Sequence, residues 1–127
     1  MCATALARPV TLSEHPATAR RQLTEKLVAA DWPREPIDGV VLAVHEALVN
    51  AQRHAGGICR AMAGFDGHTL VVEVWDRGRG FSMLRSVATP DTWAEHGRGL
   101  FLMCRLAAGV EVFRRGGEVC LRLKFEP

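Results

Sequence analysis

Tyrosine is absent from this chain, asparagine occurs once, at Asn50, and lysine twice, at Lys26 and Lys124. Fourteen of the 16 basic residues are therefore arginine, and the net charge is only +2. So small a charge excess gives no ground for a direct nucleic-acid partner. The weight of arginine and alanine is an ordinary mark of high-GC codon usage. No apolar run approaches the ~18 residues of a membrane helix, so no membrane partner is expected. Residues Met1 to Arg8 lack the long apolar stretch of a secretory leader, which makes the cytoplasm the expected compartment. The cysteines, Cys2, Cys59, Cys104 and Cys120, form no C-x-x-C pair and no ligand cluster, so neither a zinc site nor a disulfide framework is expected, and they read as three buried thiols and one near the N-terminus. Internal repeats and low-complexity tracts are also missing.

What is present is an ordinary globular composition: 127 residues, 48% hydrophobic and 24% charged. A chain of this length forms about one domain and buries roughly two-thirds of its unfolded surface. Residues 1–127 are accordingly read as a single domain. Residues 8–12 read as a short edge strand with Pro9 at its start. Ser13 or Glu14 opens a helix through Ala30, with Ala19, Leu23 and Leu27 at helical spacing. Pro36 to His54 predicts a second helix whose apolar face carries Val40, Val44, Ala47, Leu48 and Ala51. Ile58–Ala63 and Thr69–Trp75 read as strands around the turn Phe65-Asp66-Gly67-His68. Residues 81–96 have no clean period. Gly99–Ala108 reads as a third helix, and 109–114 and 118–125 as a closing hairpin. Segregated helices and consecutive strands predict an α/β (α+β) two-layer sandwich.

Three segments carry chemistry. Glu46 and Asn50, four apart, share one helix face, and a carboxylate with a neutral amide oxygen suits Mg2+ when phosphate completes the shell. Arg53 and His54 lie a turn further on, within reach of phosphate oxygens. A solvated polar stripe would use the same residues, and the site is expected to face solvent. His45-Glu46 begins the H-E-x-x-H zinc pattern, but Val49 occupies the second histidine position and ends that reading. Asp76-Arg77-Gly78-Arg79-Gly80 follows a strand; its carboxylate can accept from an exocyclic amine, and its glycines let a flat ring approach. A plain turn has the same composition. Gly97-Arg98-Gly99-Leu100 opens the third helix, where free backbone N–H groups and the helix dipole favour an anion. No G-K-[ST] follows, so this is not a Walker loop.

The order of these segments resembles the GHKL, or histidine-kinase-like, ATPase superfamily, in which they are the N, G1 and G2 boxes and 81–96 is the ATP lid. The wording "HEALVNAQRHA" and "GRGLFLMCRLA" is similar to the anti-sigma factor serine/threonine-protein kinases. The resemblance implies a Bergerat-type ATP-binding fold, a mixed, mostly antiparallel sheet covered on one face by helices. It implies ATP and Mg2+ as cofactors. Glu46 would be the general base and Asn50 the metal ligand. Asp76 would read adenine, with Gly78 and Gly80 shaping the pocket, while Gly97, Arg98, Gly99 and Leu100 line the phosphates and Arg53 and His54 add contacts. Arg20 of the first helix would face a protein partner. The implied partners are a sigma factor, a STAS-domain anti-anti-sigma protein and a second copy of the chain as a homodimer. Two departures stand out. The Gly-Thr pair common in the last hairpin is Gly117-Glu118 here, and the lid carries one basic residue, Arg85. The competing readings are a non-catalytic, ATP-responsive partner-switching module of the same fold, and a domain without nucleotide whose glycine loops are only turns.

Overall fold

The computed structural model describes residues 6–54, 58–77 and 98–127. Strand β1 (Ala7–Leu12) leads into helices α1 (Pro16–Ala29) and α2 (Arg34–His54). Strands β2 (Ile58–Asp66) and β3 (Thr69–Asp76), helix α3 (Arg98–Leu106), and strands β4 (Gly109–Arg115) and β5 (Glu118–Phe125) follow. The sheet order is β1-β2-β3-β5-β4, and every pairing is antiparallel. The helices cover one face. The expected two-layer architecture is found, with no parallel pair among the described strands.

Helix α1 starts later than the spacing predicts. Ser13 Oγ accepts from the His15 N–H at 3.0 Å, Ser13 N–H donates to Gln22 Oε1 at 2.8 Å, and Pro16 takes the first helical turn. The side chain–backbone bonds hold 13–15 outside the helix, and proline needs no N–H partner at its start. The helix ends in a Schellman motif. Asp31 N–H reaches Val28 O and Trp32 N–H reaches Leu27 O, both at 3.0 Å, with Asp31 left-handed at φ 60°. Buried Trp32 and Leu27 supply the apolar contact such a motif takes. Helix α3 stops at Leu106 rather than Ala108, because Ala108 N–H joins the sheet through Lys124 O at 2.7 Å.

The β2–β3 turn is tighter than expected. Phe65 and Asp66 stay in the ladder against Leu70 and Thr69, leaving Gly67-His68 as a two-residue loop with Gly67 at φ 63°. Gly116 (φ 61°) leads the β4–β5 loop in the same way. Such short hairpins need φ > 0, and glycine provides it without steric cost.

The core lies between α2 and the sheet, where Val40, Val44, Ala47, Leu48 and Ala51 meet Val72, Val74, Leu121 and Leu123. Among the described residues no helix covers the opposite face, yet Trp75 and Cys120 on it are buried, at 3% and 0% exposed. Register puts Arg60, Trp75, Cys120 and Phe113 in one row across four strands. Trp75 and Phe113 pack edge to face at 5.6 Å. The Arg60 guanidinium lies 4.3 Å from the Trp75 ring and that of Arg122 4.8 Å from Phe113. Glu73 anchors this layer, pairing with Arg122 at 2.8 Å and accepting from Trp75 Nε1 at 3.2 Å. Arginine stems thus do what a second helical layer would do. Burial, and secondarily the Glu73 carboxylate, pushes the Cys120 thiol up to about 12.

Candidate functional site

Helix α2 and strand β3 place the two acidic and amide candidates at one end of the sandwich. Asp76 closes β3 on the helix-covered face, two residues beyond Val74, and pairs in register with Ile58 on one side and Val119 on the other. Helix α2 ends at His54, and Ile58 begins β2. Four residue steps span at most about 14 Å, so the end of α2 stays close to the strand end that carries Asp76. Asn50 lies one turn before that end and Glu46 one turn earlier.

Helix α3 points its first turn at the same end. A Cβ built on Gly39, near the start of α2, would stand 3.5 Å from Leu106 Cδ2, so the last turn of α3 lies against the far end of α2. From there the chain enters β4 at Gly109, opposite Lys124 and in the row of Val71. The first turn, with Arg98, Gly99 and Leu100, is therefore about 12 Å back along the axis, toward Asp76.

Burial singles out two of these residues. Among the described residues Asn50, 5% exposed, and Asp76, 3% exposed, are the only polar or charged side chains that are buried. Burying such groups costs roughly 1–3 kcal/mol apiece unless hydrogen bonds compensate, and among the described residues no buried side-chain nitrogen or oxygen lacks a partner. The expectation that Asn50 faces solvent is corrected here: it sits between Ala47 and Ala51 on the core side of α2. Glu46 is half-buried and Arg53 exposed. His54 is the last residue of α2. Gly78, Gly80, Gly97 and the segment 81–96 lie outside the described residues.

Arg20 stands apart from this end, exposed on α1, but it is tied to α2: Arg20 Nη2 lies 3.2 Å from His45 Nδ1, the neighbour of Glu46. Both line a groove of about 320 Å3 between α1 and α2, with Thr24, Asp38, Val41 and Leu42. The position where the resemblance leads one to expect threonine, Glu118, is engaged on the sheet face of Trp75 and Cys120, paired with Arg60 at 3.0 Å. Sequence reasoning missed Val119, which is 1% exposed and stands directly across the ladder from Asp76 as an apolar neighbour for a flat ring. The strand alternation of β5 was the one signal that could have placed it.

Chemically, this end offers an acceptor-only carboxylate beside an apolar strand residue, an amide oxygen with a carboxylate one helical turn away, and a helix N-terminus. Among the described residues no group of three or more His, Cys, Asp or Glu could hold a metal by itself. That donor set suits Mg2+, which takes one or two protein oxygens and completes its shell with phosphate and water. No described helix is long and apolar enough to cross a membrane.

Comparison with known proteins agrees with this geometry. Residues 10–125 match the family model described as the histidine kinase-like ATPase domain. Among solved structures, the chain is similar to the crystal structure of the RsbU and RsbW domains of Rv1364c from Mycobacterium tuberculosis, with a TM-score of 0.65 and 23% identity. The match covers 93% of this chain and 31% of that one. No curated protein matches the sequence. The chain, with its helices over one face of an antiparallel sheet and its buried Asn50 and Asp76 at one end, belongs to the histidine kinase-like ATPase domain family.

Proposed function

We propose that this chain is an ATP-binding anti-sigma factor and protein-serine kinase, a single domain that holds a sigma factor and phosphorylates a STAS-type anti-anti-sigma protein. The observation that carries the nucleotide part is that Asn50 and Asp76, alone among the polar side chains of the described residues, are buried, and at one end of the sandwich. The similarity to a chain containing an RsbW domain supports the partner-switching part. The proposed assembly is a homodimer acting in the cytoplasm.

Asp76 accepts the exocyclic amine of adenine, and Val119 beside it excludes water from one side of the ring. Gly78 and Gly80 let the chain approach the base. The first turn of α3, with Gly97, Arg98, Gly99 and Leu100, takes the phosphates through backbone N–H groups and the helix dipole. Arg53, exposed at the end of α2, and His54 add charge there. Asn50 supplies the protein oxygen for Mg2+, which when bound neutralises phosphate charge. Glu46, half-buried one turn away, takes the proton from the incoming serine hydroxyl. Phosphoryl transfer asks little more of a protein than positioning and charge neutralisation. Arg20, exposed beside the α1–α2 groove, contacts the sigma factor.

The experiment is transfer of labelled γ-phosphate to a STAS partner from the same genome, with wild type and Glu46→Gln. The variant keeps shape but cannot accept the proton, so transfer should fall by ~10²–10⁴-fold. ATP affinity should hold, because the base acts in the transition state. Wild-type rates in Glu46→Gln would remove Glu46 from the mechanism. Absence of transfer by wild type, with ATP and partner binding intact, would leave a non-catalytic switching module.

A further inference from the structure

The end of the sandwich opposite Asp76 holds a feature that the nucleotide site does not use. Between Ala7 and Val10 the register of β1 against β2 slips by one residue, because Ala7 pairs with Phe65 and Val10 with Ala63. Where the first residue of a bulge is left-handed, glycine ordinarily occupies it. Here Arg8 stands there, at φ 48°. An arginine held where an L side chain is disfavoured is a reason to ask what its guanidinium does.

It joins a second cation. Lys26, in the last turn of α1, donates from Nζ to the Arg8 carbonyl oxygen. The Lys26 ammonium lies 5.1 Å, and the Arg8 guanidinium 5.7 Å, from the centre of the Phe65 ring. Among the described residues neither takes part in an ion pair. Burial, and then the charge of Arg8, lowers the Lys26 pKa, as expected for cations brought together without a counter-ion. Arg8 and Phe65 also line a cavity of about 80 Å3 with Trp32, Gly67 and His68. His68 adds an imidazole, and the cavity is small and mostly polar-walled.

We propose that this cavity is a binding site for a compact tetrahedral oxyanion of the phosphate class, with Arg8 as its principal ligand, Lys26 as the neighbouring charge and His68 as a further donor. A guanidinium fork and an imidazole present several N–H groups, which matches the several acceptor oxygens of phosphate. The anion would also remove the repulsion between Arg8 and Lys26. The site is roughly 23 Å, the length of β3, from the Asp76 end, so it does not rest on the nucleotide reading.

The test is an amide-resolved NMR titration of the full chain with inorganic phosphate, against sodium chloride of equal ionic strength. Saturable shifts are expected at Phe65, Gly67 and His68, and not with chloride. Arg8→Gly places glycine where the bulge prefers it, so the variant should melt no lower than wild type while binding phosphate at least tenfold more weakly. Lys26→Gln should weaken binding severalfold. Shifts that do not saturate, shifts confined to other residues, or unchanged affinity in either variant would overturn the proposal.

Discussion

Replacing Asp76 by asparagine tests the proposed nucleotide end most directly. The substitution is nearly isosteric, and the backbone at 76 is held on both sides by ladder partners, Ile58 and Val119, so the fold should survive. What changes is the hydrogen-bond inventory: an acceptor-only carboxylate becomes an amide with two donors. At 3% exposure water cannot readily replace the lost partner. A hydrogen bond to a charged group contributes ~1.5–3 kcal/mol. Each 1.4 kcal/mol is tenfold, so ATP affinity should fall about 10- to 150-fold. Discrimination should shift as well. Adenine presents an amine to this position and guanine a carbonyl, so wild type should reject GTP and Asp76→Asn should narrow the gap. Isothermal calorimetry with both nucleotides, alongside a thermal melt to establish folding, reads each quantity. Unchanged ATP affinity in a folded Asp76→Asn variant would refute the adenine-reading role.

Asn50→Ala should abolish the Mg2+-dependent part of ATP affinity, read by titration with and without the metal; because Asn50 is buried, apo stability should also fall, by about 1 kcal/mol in a denaturant melt. Normal Mg2+ dependence together with a large stability loss would make Asn50 a structural group only. Asp31→Gly should stabilise the protein by about 0.5–1 kcal/mol, since it relieves a left-handed residue at the end of α1, and a lower melting temperature would contradict the Schellman geometry. Cys120 should resist alkylation in the native protein and react in denaturant, as peptide mass spectrometry would show. Its pKa is raised from 9.0 to about 12 on folding, so the folded chain binds the more protons between those values. Its contribution to stability is thus full below pH 9 and lost as pH rises toward 12, and a flat stability profile there would exclude it.

Local chemistry was legible in the sequence because it depends on neighbours along the chain. The helical spacing of Ala19, Leu23 and Leu27, the alternation through Val72 and Val74, the glycines that lead both hairpin loops and the isolated Asn50 all announce themselves within a few residues. So did the order of the three candidate segments, and with it the family. Element ends were less legible where a distant partner decided them: Lys124 O draws Ala108 out of α3, and Gln22 helps hold Ser13 outside α1.

Only the tertiary structure decided which polar residues are buried. Glu46 and Asn50 look alike on a helix wheel, but the packing of α2 against the sheet buries Asn50 fully and Glu46 by half. Periodicity predicted one covered face of the sheet, yet Trp75 and Cys120 are buried on the other, because strand register lines up Arg60, Trp75, Cys120 and Phe113 from four strands. The neighbours Ile58 and Val119 at Asp76, the Arg20–His45 contact and the Arg8–Lys26 pair have the same origin. Each joins residues distant in sequence. A periodic pattern states which face a residue takes, whereas burial and pairing depend on what another segment brings to that face, and only the folded chain sets that.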